Sequence, residues 1–200
     1  SVGFSGEFVA RPWCLGDYER TLWLALADAN PHDRPEEREQ KRILREQWGD
    51  WQACKAALER SHRRSIVTYL VDKPTDFRGA VARLRVDLRS LYLAAFQSSL
   101  WNRVLAACLR QVCRPEQLSE VELKLGSIPF FGALEIGQRQ QLEGLELPLP
   151  SARQKLEPGP VTDVVERVLA EGRCLTADLG GTAGTKAAAE AVIASLRASC

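Results

Sequence analysis

From Arg83 to Arg114 the chain reads RLRVDLRSLYLAAFQSSLWNRVLAACLRQVCR, its longest run with neither glycine nor proline. Nearly every residue in it suits a helix, so the spacing predicts one helix over 83–114 with the rest of the fold packed around it. Asp87 is placed as an early-turn acid, Arg110 and Arg114 suit the negative end of the helix dipole, and Pro115 stops the helix. At about 1.5 Å per residue the helix would be on the order of 40 Å long, enough to cross a small domain. At about 100° per residue, Leu93, Phe96, Leu100, Trp101, Val104, Ala107 and Cys108 form one apolar stripe. Leu91, Leu105 and Leu109 cover much of the opposite side, leaving a strip through Tyr92, Ser99, Arg103 and Arg110 for water or a charged partner. Gln97 falls inside the stripe, where an unpaired primary amide costs about 1–3 kcal/mol, so a backbone, water or ligand group is expected to meet it. Ser98 and Asn102 make a second polar pair at i, i+4 on the other flank.

The N-terminal third is helical in pattern. Asp17 is placed to cap a helix that carries Leu22, Leu24 and Leu26 and ends near Asn30-Pro31. The charged run RPEEREQKRILREQW opens with Pro35, Glu36 and Glu37, a helix-start arrangement, and reads as a solvated helix. Gly49-Asp50-Trp51 then echoes Gly16-Asp17-Tyr18 at a spacing of 33 residues. That echo carries the alternative reading, a helical repeat-like protein-interaction module without enzymatic activity. A third Gly-Asp-aromatic is absent near Ala82, although stacked repeats need at least three copies. Arg64 to Val71 reads as a short helix, and Asp72-Lys73-Pro74 as a turn into a helix starting near Thr75 or Asp76.

Charge is uneven although the net charge is only +1. Residues 83–114 hold six Arg against one Asp, and 116–146 hold six Glu against one Lys and one Arg. Either the two segments complement each other or the basic strip faces phosphate. The six cysteines include no C-x-x-C and neither His32 nor His62 lies near a Cys or His partner, so no metal site is expected. Cys108 and Cys113 are about 140° apart around a helix and share no face. There is no apolar run of membrane-spanning length and no charged lead before an apolar core, which with unpatterned cysteines suggests the cytoplasm. The chain has no methionine and begins at Ser1, and reads as a fragment.

Beyond Pro115 the texture changes. Leu125 to Gly132 reads as an apolar loop with breakers, and Leu147-Pro148-Leu149-Pro150 as an extended stretch that holds neither helix nor central strand. Val161 to Leu169 is a last helix, and residues 179–200 are simple Gly, Ala and Ser sequence before a helix-forming run. Gly180 to Lys186 fails as a phosphate loop, because Thr185 rather than Gly precedes Lys186 and no apolar strand leads into it.

Leu93-x-x-Phe96-Gln97-Ser98-x-Leu100-Trp101-Asn102, with Arg89 and Leu91-Tyr92 ahead of it, resembles the hallmark helix of the TruD family of tRNA pseudouridine synthases. GEFVARPWCLGDYERTLWLAL resembles the segment after that family's Asn-Tyr-Phe-Gly and Gln-Arg-Phe-Gly motifs. Asp76-Phe77-Arg78-Gly79-Ala80 and Leu147-Pro148-Leu149-Pro150 are similar to family segments in the same order. The resemblance runs over about Gly6 to Cys174, so residues 1–178 are expected to be a partial synthase and 179–200 a divergent or non-native tail.

The resemblance implies a mainly α part here, the helical TRUD insertion domain, within an α+β pseudouridine synthase fold in the complete enzyme. It implies an isomerase that turns uridine into pseudouridine in the D-arm region of tRNA, without metal or organic cofactor, acting as a cytoplasmic monomer. The family's catalytic Asp belongs to a Gly-x-Lys-Asp-x-x-Ala segment. None is visible: Asp72 precedes Lys73, and Asp17, Asp50, Asp76 and Asp87 sit at helix starts. The chain is therefore expected to be inactive alone, with no catalytic residue of its own. Its implied site residues are Gln97, Ser98 and Asn102, bracing or lining the uridine pocket, and Arg89 and Arg103, binding backbone phosphate.

Overall fold

Three of the helices begin on an aspartate followed by an aromatic residue, and the side chain does the same work each time. In the computed structural model Asp17 accepts from the backbone N–H of Arg20, Asp50 from that of Ala53 and Asp76 from that of Gly79. Each satisfies one of the donors a helix start leaves open. Gly16 and Gly49 precede two of them with φ of 79° and 96°, a region glycine enters without a Cβ penalty. The 33-residue echo is thus a shared capping device. The third start, Thr75-Asp76-Phe77, repeats the cap without the glycine.

The structure describes residues 5–123, 126–147, 149, 159, 162–164 and 166. They fall into two compact units, residues 1–96 and 97–200. The first holds α1 (Ala10–Cys14), α2 (Tyr18–Leu26), α3 (Pro35–Glu46), α4 (Trp51–Ala57), α5 (His62–Asp72), α6 (Phe77–Ala82) and the start of α7 (Val86–Val112). Its core gathers Leu22, Leu44, Cys54, Ile66, Val67, Leu70 and Val81, none of them more than 1% exposed. Trp51 anchors that core at its edge. Its ring meets Trp48 edge-on at 5.0 Å and Phe77 at 6.2 Å, and its indole N–H donates to the carbonyl of Pro74 at 3.1 Å.

The helix expected over 83–114 is α7, and it is shorter at both ends. Arg83 is spent as the C-cap of α6, where its N–H reaches the carbonyls of Ala80 and Val81. Leu84 is buried in the corner beyond it. At the other end Arg114 is extended and opens a 3₁₀ turn, Pro115–Gln117.

The second unit adds a hairpin where the breakers of the sequence predict an apolar loop. β1 (Leu118–Leu123) pairs antiparallel with β2 (Gly126–Phe131), with Glu120 opposite Pro129 and Val121 opposite Ile128. Proline is tolerated here because each strand of a two-stranded sheet has an outer edge, where a missing N–H breaks no ladder bond. Next in the chain is α8 (Ile136–Glu143). It is tied back by two glutamines. The Gln117 and Gln138 amides bond each other in both directions at 2.8–2.9 Å, and Gln138 also donates to the carbonyl of Val112 at 2.9 Å. The Gln138 carbonyl accepts from the N–H of Glu135 and the Gln117 carbonyl from that of Arg114. One amide pair therefore ties the end of α7, the 3₁₀ turn and the start of α8 together.

The described part is mainly helical, as expected. Residues 162–164 and 166 are helical within the expected 161–169. The 179–200 tail lies outside the described residues.

Candidate nucleic-acid interface

Burial along α7 follows one row. Tyr92, Phe96, Leu100, Val104 and Cys108 are each no more than 8% exposed, and they are spaced four apart. Each step of four drifts about 40° around a helix of 3.6 residues per turn, so the buried seam winds as α7 advances. Three expectations are corrected near the start of α7. Leu93 lies off the seam and is 41% exposed, and Leu91 is 53% exposed, whereas Tyr92, expected on the watery strip, is buried. Phe8 holds the seam within the first unit, its ring 5.6 Å from that of Phe96. Within the second unit Val104 and Cys108 pack with Val164, Leu145 and Leu147.

The five sequence-predicted site residues all lie on α7, and they do not share a face. Arg89 is half-buried in the first unit, where its Nε is buried and has no hydrogen-bond partner. Gln97 is half-buried, beside the seam rather than in it, and its amide is engaged. Ser98 is exposed and Asn102 half-buried, about 40° apart on one flank. Arg103 is exposed and also engaged.

A second arginine resembles Arg89. Arg63 donates to Glu37 at 2.9 Å, yet its own Nε is buried without a partner. Its charge also acts on the hydroxyl of Tyr92, three residues beyond Arg89: burial pushes that hydroxyl's pKa up and the guanidinium pulls against the shift. A buried N–H without an acceptor costs about 1–3 kcal/mol, and an anionic oxygen would supply what it lacks. His62-Arg63-Arg64 is a basic run in the sequence, but only the fold decides which of its N–H groups go unsatisfied: Arg64 donates to the carbonyl of Lys55 and His62 is exposed.

The contrast of basic and acidic segments is in part internal complementarity. Arg110 pairs with Glu120 at 2.8 Å, and Arg114 with Glu116 at 3.0 Å and Glu135 at 2.7 Å. These are exposed pairs and each contributes little to stability.

Six of the described aspartates have structural occupations. Asp17, Asp50 and Asp76 cap helices, Asp87 pairs with Arg85 at 2.6 Å, and Asp33 pairs with Lys41 at 2.7 Å in a largely buried bridge. Asp28 is buried and accepts from the Ser5 hydroxyl at 3.4 Å. Among the described residues no group of three His, Cys, Asp or Glu is placed to hold a metal ion, and no helix is long and apolar enough to cross a membrane.

The family model for tRNA pseudouridine synthase D (TruD) matches residues 6–122. The "Probable tRNA pseudouridine synthase D 1" of Methanococcus maripaludis is 26% identical over 149 residues, 72% of this chain and 38% of that protein. The "tRNA pseudouridine synthase D" of Leptospira interrogans is 25% identical over 143 residues, 70% of this chain and 34% of that protein. The chain thus spans little more than a third of the curated relatives it matches. Its fold is similar to the crystal structure of a Methanosarcina mazei protein assigned as tRNA pseudouridine synthase D, with a TM-score of 0.60 at 16% identity. That likeness covers 90% of this chain and 45% of the other.

Proposed function

This chain belongs to the TruD family, and we propose that it serves the isomerisation of uridine to pseudouridine in the D-arm region of tRNA. The match to the family model over residues 6–122 carries the reading. It also favours a synthase over a helical interaction module. The segment these 200 residues provide is taken as a supporting one, residues 1–178, lying in or beside the family's helical insertion within an α+β synthase. The catalytic aspartate is supplied by a Gly-x-Lys-Asp segment that is not among them. The capping and ion-paired aspartates support this, since a carboxylate committed to backbone N–H groups or to a basic side chain is poorly placed to attack a sugar or base.

On this reading Gln97, Ser98 and Asn102 brace the pocket that receives the extruded uridine. A target base must leave its stack before chemistry on it can begin. Arg89 and Arg103 meet backbone phosphate, Arg89 through the Nε–H that lacks an acceptor. No metal or organic cofactor takes part, and the setting is a monomer in the cytoplasm.

The test is tRNA binding by the 200-residue chain at several salt concentrations, and then measurement of pseudouridine in the tRNA. Salt-sensitive binding without pseudouridine formation is expected. Absence of tRNA binding at low salt would sink the reading, and pseudouridine made by the chain alone would overturn the assignment of the catalytic aspartate elsewhere.

A further inference from the structure

The second unit holds a cavity of about 540 Å³, within the range that small-molecule sites occupy. Trp101, Leu105 and Leu109 of α7 and Phe131 of β2 line it, together with Arg139 and Glu143 of α8. The walls are apolar and aromatic, and two opposite charges four residues apart are its ionised groups. Neither Arg139 nor Glu143 forms an ion pair with a described residue. Trp101 is anchored, its indole N–H donating to the carbonyl of Leu147 at 3.1 Å. The position of α8, and so of both charges, is held by the Gln117–Gln138 amide pair.

We propose that this cavity takes an unstacked guanine of the bound RNA. Proteins read single-stranded RNA bases by stacking them on aromatic rings and bonding their edges, and Trp101 and Phe131 supply the rings. The two charges choose the base. A carboxylate only accepts, and guanine offers it two adjacent donors, N1–H and N2–H. A guanidinium only donates, and guanine offers it O6 and N7 as paired acceptors. No other RNA base offers both paired sets. The inference rests on the tRNA reading for its ligand, and it adds a base-reading site whose lining does not include Gln97, Ser98 or Asn102.

The probes are GMP, AMP, CMP and UMP, titrated separately into the full chain and monitored by ligand-observed NMR. GMP is expected to bind about tenfold more tightly than AMP, CMP or UMP, as one bidentate base contact would give, and AMP binding as tightly as GMP overturns the guanine assignment. Glu143→Gln replaces one acceptor oxygen with donors and should remove the preference, and since Glu143 is exposed the variant should fold normally. Leu105→Trp fills the cavity and should abolish binding of all four nucleotides. Equal binding of the four, or a GMP preference that survives Glu143→Gln, overturns the inference. If tRNA still binds in that case, the synthase reading stands without this site; if GMP is preferred but tRNA does not bind, the site stands and the synthase reading falls.

Discussion

Gly79 shows how one residue decides whether a local network can exist. A Cβ there would run into the Tyr69 hydroxyl and the Asp76 carboxylate. Those two groups are hydrogen-bonded to each other, and Asp76 also accepts from the Gly79 N–H at 2.8 Å. The Arg83 guanidinium lies 3.5 Å above the Tyr69 ring and donates to the Gly79 carbonyl at 3.0 Å. Helix propensity alone would make Gly79→Ala stabilising by up to about 1 kcal/mol. The steric conflict outweighs it, because overpacking costs about 1–3 kcal/mol. Urea unfolding should therefore show Gly79→Ala less stable than the parent.

The same network gives a pH prediction. The Tyr69 hydroxyl, then the Gly79 N–H, hold the Asp76 carboxyl below its ordinary pKa. Asp33 is also lowered: burial pushes its pKa up, but the Lys41 bond, with the Asn30 N–H and the charge of Arg63, more than offsets that. A carboxyl depressed on folding contributes stability above its unfolded pKa and loses it as pH falls through the folded one. The melting temperature should accordingly fall as pH is lowered below the ordinary carboxylate range, and Asp76→Asn should flatten part of that fall. Tyr69 titrates in the opposite sense. Its hydroxyl is pushed up, first by the bond to Asp76, so its contribution holds below the ordinary tyrosine pKa and is lost as pH rises through the folded value.

At the scale of elements, α7 is the most legible part of the chain: Phe96, Leu100, Val104 and Cys108 of the expected stripe are buried, and only its N-terminal end differs. A straight stripe drawn at a fixed angle places Leu93 inside and Tyr92 outside. The helix instead buries the winding row from Tyr92 to Cys108. Periodicity shows that an apolar face exists, and the partners present at each turn choose which row it is. The hairpin was illegible for a different reason. Pro129 argues against a central strand, and nothing in a linear run says that its sheet will have only two strands. The Gln117–Gln138 pair is likewise a tertiary product, joining glutamines 21 residues apart. Gln138→Leu should cost about 1–3 kcal/mol, since it takes the side-chain partner from the Val112 carbonyl and the Glu135 N–H and breaks the amide pair with Gln117. Thermal unfolding will measure that, and Gln117→Leu/Gln138→Leu should cost less than the sum of the two single changes.

For the whole molecule, the testable property is how the chain holds a polyanion. Each phosphate contact should contribute about 0.7–0.9 to the slope of log affinity against log salt. Arg89→Gln and Arg103→Gln should each weaken tRNA binding and lower that slope by about one contact. An unchanged slope removes the residue from the phosphate set.

The sequence by itself determined the mainly helical class, the cap at Asp17 with the helix starts near Asp50 and Asp76, and the family. These depend on local chemistry: a carboxylate three residues before an open N–H, a helical period, and an ordered series of short motifs. Tertiary structure alone decided that Tyr92 rather than Leu93 is buried on α7, that residues 126–131 form a strand, and which arginine N–H groups go unsatisfied. Those outcomes depend on neighbours distant in the chain, and burial, pairing and desolvation take their values only once such neighbours have met.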